Sequence, residues 1–211
     1  MTKKQRALKA IEALKELYPV AHCSLDTTGA LQLLIATRLS AQCTDARVNQ
    51  VTPVLFRKFP TLQSFVEADI KDIEDIIRSC GLYKTKAKDI KNMCIDIAQK
   101  YGGQVPDTME DLTSLPGVGR KTANLVLGEV FGKPAVVADT HCIRLSGRIG
   151  LTTVTKDAYK VEKELRAILP PEESNDFCHR LVYHGRAVCT ARSPKCDQCT
   201  LADICISCGK V

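Results

Sequence analysis

Four cysteines crowd the C-terminal end of this chain. Cys189, Cys196, Cys199 and Cys205 fall within seventeen residues, with six, two and five residues between successive members. Thiols this dense on one short segment constrain the local fold strongly, because they can converge on one metal centre. Cys196 and Cys199 form a C-x-x-C, whose two sulfurs can reach a single tetrahedral site. Spacing leaves zinc and iron–sulfur equally open, since either accepts four thiolates. A second C-x-x-C, Cys205 to Cys208, offers another grouping with Cys196 and Cys199. Five residues between those pairs is short for a zinc ribbon. Arg186, Arg192 and Lys195 lie beside or between the thiols. A metal-folded loop of that charge suits an anionic partner.

The remaining cysteines do not make a disulfide scaffold. The total of eleven is odd, 211 residues far exceeds a mini-protein, and the N-terminal MTKKQRALKA has no apolar signal core. Cys43, Cys80, Cys94, Cys142 and Cys178 sit in apolar helical patterns, where a free thiol behaves as a small hydrophobe. A reducing cytoplasm is therefore expected, and no apolar run reaches membrane-spanning length. A net charge of +6 is compatible with nucleic acid. Aromatics make up only 5% and Trp is absent, which argues against base-stacking platforms of the single-strand type.

Helical spacing dominates the rest, and the length allows one large domain or two small ones. Leu8, Ile11, Leu14 and Leu17 mark a first helix that stops before Pro19. Residues 30–40 hold one charge and read as a buried helix. Thr44 or Asp45 caps the next, which Pro53 should bend or restart. Asp69 caps IKDIEDIIRSC, with Gly81 as its left-handed stop. Further helices are expected over 84–101, 107–115, about 119–131, 140–149, 156–169 and roughly 173–188. No strand pair, repeat or low-complexity segment emerges. The class is all-α, with many short helices.

Between two of these helices lies Leu115-Pro116-Gly117-Val118-Gly119. Two glycines permit left-handed dihedrals and close backbone approach. The following helix presents free N–H groups and a positive dipole end, which together can hold a phosphate regardless of base sequence. A plain helix–turn–helix connection reads the glycines equally well. Lys121 lies just inside the second helix. Taken singly, a lysine is most often a solvated surface charge. A primary amine at the positive end of a helix is also the nucleophile that imine chemistry needs. Asp139, after an apolar run and before Thr140, reads as an N-cap whose carboxylate can also face a site. Lys84, Lys88 and Lys91 share a helix face that is either solvated or near phosphates.

Several ordered strings together carry a resemblance. LSAQCTD at 39–45, GLYKTKA at 81–87, LPGVGRKTAN at 115–124, VADTHCIR at 137–144 and the cysteine segment at 189–205 span nearly the whole chain. In this order they resemble the endonuclease III family of helix-hairpin-helix DNA glycosylases and abasic-site lyases. The resemblance implies a two-lobed all-α fold. A six-helix barrel would cover 22–133, with the hairpin at about 108–130. A cluster lobe would combine 1–21 with 134–211, and DNA would lie across the groove between the lobes.

By the same resemblance, Lys121 is the catalytic amine that attacks C1′ and Asp139 is the essential carboxylate. Gln42 fills the gap left by a flipped base and Leu82 wedges the neighbouring step. Gly117, Val118, Gly119, Arg120, His141, Arg192 and Lys195 contact damaged or abasic double-stranded DNA. Cys189, Cys196, Cys199 and Cys205 hold a [4Fe–4S] cluster, leaving Cys208 as an extra thiol. The expected activity is release of oxidised pyrimidines followed by strand cleavage, by a monomer at the nucleoid. Adenine and mismatch glycosylases of the same superfamily usually lack the lysine, and the adenine enzymes carry a further C-terminal domain. Lys121 with Asp139 also argues against a non-catalytic DNA-binding module.

Overall fold

Each helix of an all-α protein must bury an apolar stripe, and those stripes define the packing here. The computed structural model describes residues 1–154 and 156–210. Among these residues every regular element is helical. The chain divides into two compact units, one formed by Cys23–Phe131 and the other by Met1–His22 with Gly132–Val211.

Helix α1 (Lys3–Leu17) begins at a capping box made by Thr2 and Gln5. Its buried stripe is Ala7, Ala10, Ile11 and Leu14, while Leu8 and Leu17 face solvent. Ala7 and Ala10 thus join Ile11 and Leu14 in the stripe in place of Leu8 and Leu17.

The Cys23–Phe131 unit contains α2 (Ala30–Ser40), α3 (Asp45–Lys58), α4 (Leu62–Glu67), α5 (Ile70–Ile77), α6 (Tyr83–Lys100), α7 (Met109–Ser114) and α8 (Arg120–Glu129). Helix α2 buries Leu33, Leu34, Ile35, Ala36, Thr37 and Leu39, as its single charge predicts. The Thr37 hydroxyl avoids an unpaired state by donating to the Leu33 carbonyl one turn back.

Thr44 caps α3 through its hydroxyl. The helix then runs unbroken through Pro53, losing one internal hydrogen bond there rather than restarting. Asp69 caps α5, which passes into a 3₁₀ turn at Arg78–Cys80. Gly81 ends that turn at φ 69° and ψ 157°, a positive φ outside the left-handed helical basin. Short α4 carries too few apolar repeats to register in the sequence, and Thr61 with Ser64 gives it a capping box. Helix α6 packs against α2, α4 and α5, burying Ala87, Ile90, Met93, Cys94 and Ile97. Helix α8 packs on α2 and α7.

In the other unit, α9 (Thr140–Ile149) and α11 (Ser174–Ala187) pack together, and α1 lies against α11 and α10 (Ala158–Ile168). Gly185 permits the first of these contacts, since a Cβ there would stand 2.5 Å from His141 Nδ1. Arg180, 2% exposed, donates to the Tyr18 carbonyl and pairs with Asp176 and Glu173. The cysteine segment follows α11 as loops with 3₁₀ turns at Cys196–Gln198 and Ala202–Ile204. Among the described residues no helix is long and apolar enough to cross a membrane.

Ile90 is fully buried in the packed face of α6. Ile90→Ala is expected to cost about 2–5 kcal/mol, read as a lower urea midpoint with an unchanged slope.

Candidate functional site

The hairpin joins α7 to α8 through a turn that only glycine suits. Gly117 has φ 75°, and a Cβ there would lie 2.8 Å from Arg38 Cδ and Nε. Arg38 is held by Asp89, with Nε donating at 2.8 Å and Nη2 at 2.7 Å. The turn therefore rests on a two-pronged ion pair between α2 and α6. Val118 is buried, and its N–H donates to the Leu115 carbonyl, so its side chain anchors the turn while its backbone shapes it. Gly119 is the N-cap of α8 and supplies no side-chain cap. Its open surroundings leave the first turn of the helix accessible to a ligand. Arg120 and Lys121 occupy that first turn, and both are exposed.

Two further exposed residues of this unit have unusual backbones. Gln42 (φ 55°) and Leu82 (φ 47°) are the positive-φ residues other than glycine among the described residues. Leu82 is 57% exposed, which is costly for an apolar side chain on a left-handed turn. Cys43 is half-buried in the loop after α2, not inside a helix, whereas Cys80 and Cys94 are buried. The lysine stripe of α6 divides: Lys84 and Lys88 are exposed, but Lys91 donates to the Ala68 carbonyl.

In the other unit Asp139 is the N-cap of α9, its Oδ1 accepting from the Cys142 N–H at 2.7 Å. It is half-buried, and His141 follows in the first turn, its Nδ1 3.2 Å from Arg144 Nη2. Arg192 and Lys195 lie on the loop between Cys189 and Cys196.

Five thiols, Cys189, Cys196, Cys199, Cys205 and Cys208, line one small cavity. Among the described residues no three His, Cys, Asp or Glu side chains converge on a single metal ion. Zinc would need its sulfurs about 2.3 Å from one point. Thiols set around a void instead suit a multi-atom cluster that spreads its ligands over separate irons. Burial and the neighbouring thiols push Cys199 and Cys205 up from the ordinary thiol value, so cationic iron is what would make thiolates tolerable there.

Polar groups that no sequence motif marks surround these sulfurs. His184 is fully buried, its Nε2 3.2 Å from Cys199 Sγ and its Nδ1 3.4 Å from the Tyr18 hydroxyl. Burial holds the imidazole below its ordinary value, favouring the neutral ring. A Cys199 thiolate ligating a cluster could only accept, and the ring proton would then sit on Nε2. Arg148 Nη1 donates to Cys189 Sγ at 3.4 Å and to the Thr190 carbonyl at 2.7 Å. Nothing in the spacing of the cysteines points to either residue.

Gly117→Ala is expected to cost about 1–3 kcal/mol, from a strained φ and the displaced Arg38, measured as a lower unfolding midpoint.

Residues 35–171 match the HhH-GPD superfamily base excision DNA repair protein model, and residues 189–205 match the iron-sulfur binding domain of endonuclease III. Endonuclease III of Synechocystis sp. is 49% identical over 98% of this chain and 94% of its own length. That of Bacillus subtilis is 40% identical over 92% and 89%. A solved trapped endonuclease III–DNA covalent intermediate has a TM-score of 0.91 at 42% identity, covering 98% of this chain and 97% of that one. A thermostable thymine-DNA glycosylase shares the fold at 22% identity, with a TM-score of 0.88. The chain belongs to the endonuclease III family of base excision DNA repair proteins, with a [4Fe–4S] cluster as its cofactor.

Proposed function

We propose that the protein excises oxidised pyrimidines from double-stranded DNA and nicks the resulting abasic site, with Lys121 as its nucleophile. The observation that carries this reading is the exposed Lys121 in the first turn of α8, directly after a glycine-capped hairpin. The solved covalent intermediate of a 42% identical endonuclease III supports covalent chemistry in the family.

In this reading the unprotonated Lys121 amine attacks C1′ of the damaged nucleotide. A C–N bond forms, and the bond to the base breaks, its electron pair leaving with the base. Loss of the sugar-ring oxygen from C1′ gives a Schiff base. Removal of a C2′ proton then expels the 3′ phosphate, which breaks the strand. Water finally releases the lysine. Asp139 offsets positive charge developing on the sugar and relays protons.

The hairpin backbone at Gly117, Val118 and Gly119, with Arg120, grips phosphate through N–H groups and the positive end of α8. Gln42 and Leu82 occupy the space of the flipped nucleotide and part the neighbouring step. His141, Arg192 and Lys195 add contacts to the backbone. Cys189, Cys196, Cys199 and Cys205 hold the cluster, which shapes the Arg192–Lys195 loop. Cys208 is dispensable for holding it. We place the protein at the nucleoid in the cytoplasm, where its substrate lies.

Lys121→Gln should lower strand cleavage about a thousandfold or more in a single-lesion duplex assay. Asp139→Asn keeps a good helix cap. It should nonetheless lose about 10²–10³-fold in excision while still binding an abasic analogue in a gel-shift assay. Full activity in either variant would remove that residue from the mechanism. Cys199→Ser should lose iron, sulfide and visible absorbance, whereas Cys208→Ser should keep all three.

A further inference from the structure

Lys86 is fully buried near the start of α6, a position where a charge is costly unless it is paired. Its Nζ donates to the Leu39 carbonyl at 2.8 Å and to the Cys80 carbonyl at 2.7 Å. Leu39 lies three residues before Gln42, and Cys80 lies two residues before Leu82. The ammonium therefore ties together the two chain segments that lead into Gln42 and Leu82, the positive-φ residues other than glycine among the described residues. Cys43 also lies near both Cys80 and Lys86.

We propose that Lys86 is a positioning residue, which holds the Gln42 and Leu82 turns in their strained form before DNA arrives. This rests on the reading that Gln42 and Leu82 act at the flipped nucleotide. A lone left-handed turn bearing a leucine would relax toward ordinary backbone. Tethering both turns to one cation removes that freedom, so less ordering is left for the binding step. An apolar residue of similar size would fill the space but hold neither carbonyl.

The consequence falls on one step of the reaction more than on the other. Extruding a stacked base demands more of the wedge than capturing a site that has already lost its base. Lys121 itself is untouched by the change.

The test compares wild-type protein with Lys86→Met, which keeps the volume and removes the donor. Three quantities are read: kcat and KM for damaged-base excision, the same for nicking of a preformed abasic site, and 2-aminopurine fluorescence beside the lesion. Excision should fall about tenfold or more, with a weaker fluorescence rise, while abasic nicking stays within about threefold. If Lys86→Met does not fold, Lys86→Gln, whose shorter amide can serve at most one carbonyl, takes its place with the same expectation. A folded variant in which both activities fall equally, or neither changes, overturns the proposal. Wild-type protein that neither excises nor nicks would instead overturn the functional reading beneath it.

Discussion

Helices satisfy their interior backbone groups, but the carbonyls of their last turns and of the segments between them need other donors, and a carbonyl shielded from water without one is costly. This chain meets that constraint with cationic side chains. Lys86 serves Leu39 and Cys80, Arg148 serves Thr190 and Ala191, and Arg144 serves Gly185 and Cys189. Arg180 serves Tyr18, and Arg6 serves Gly150. The basic residues are thus not all directed at DNA. Several of them fasten loops and helix ends, among them the segments that lead into Gln42 and Leu82 and the start of the cysteine segment.

The same device divides the labour between chemistry and support. In the proposed mechanism Lys121 needs only an exposed first turn of α8, and Gly117 on the Arg38–Asp89 pair provides it. The cysteine segment needs more, because it has little helix of its own. Arg148 and His184 reach the sulfurs from α9 and α11, so the cavity is braced by side chains of the packed helices. Hydrogen bonds to cluster sulfurs also tune a cluster electronically.

Much of this is legible in the sequence, for local reasons. Thr44, Asp69 and Asp139 cap helices as their residue types predict, and Gly117 takes the positive φ that its turn requires. Long-range pairings are not legible there. Lys86 looks like any lysine of α6 until Leu39, 47 residues away, is brought to it. Lys91, by its spacing part of an exposed stripe, closes on Ala68. Pro53 stays within one helix because packing on both sides outweighs one lost hydrogen bond. His184 and Arg148 carry no motif, since their roles exist only once the cysteine loop has folded back.

In the proposed mechanism the chemistry lies on the amine of Lys121 and not on the cluster. The most direct measurement is borohydride reduction of the protein on a single-lesion duplex, followed by peptide mapping of the cross-link. One reduced adduct is predicted, on the peptide containing Lys121. An adduct on another lysine, or none from protein that is actively nicking the duplex, would contradict that assignment.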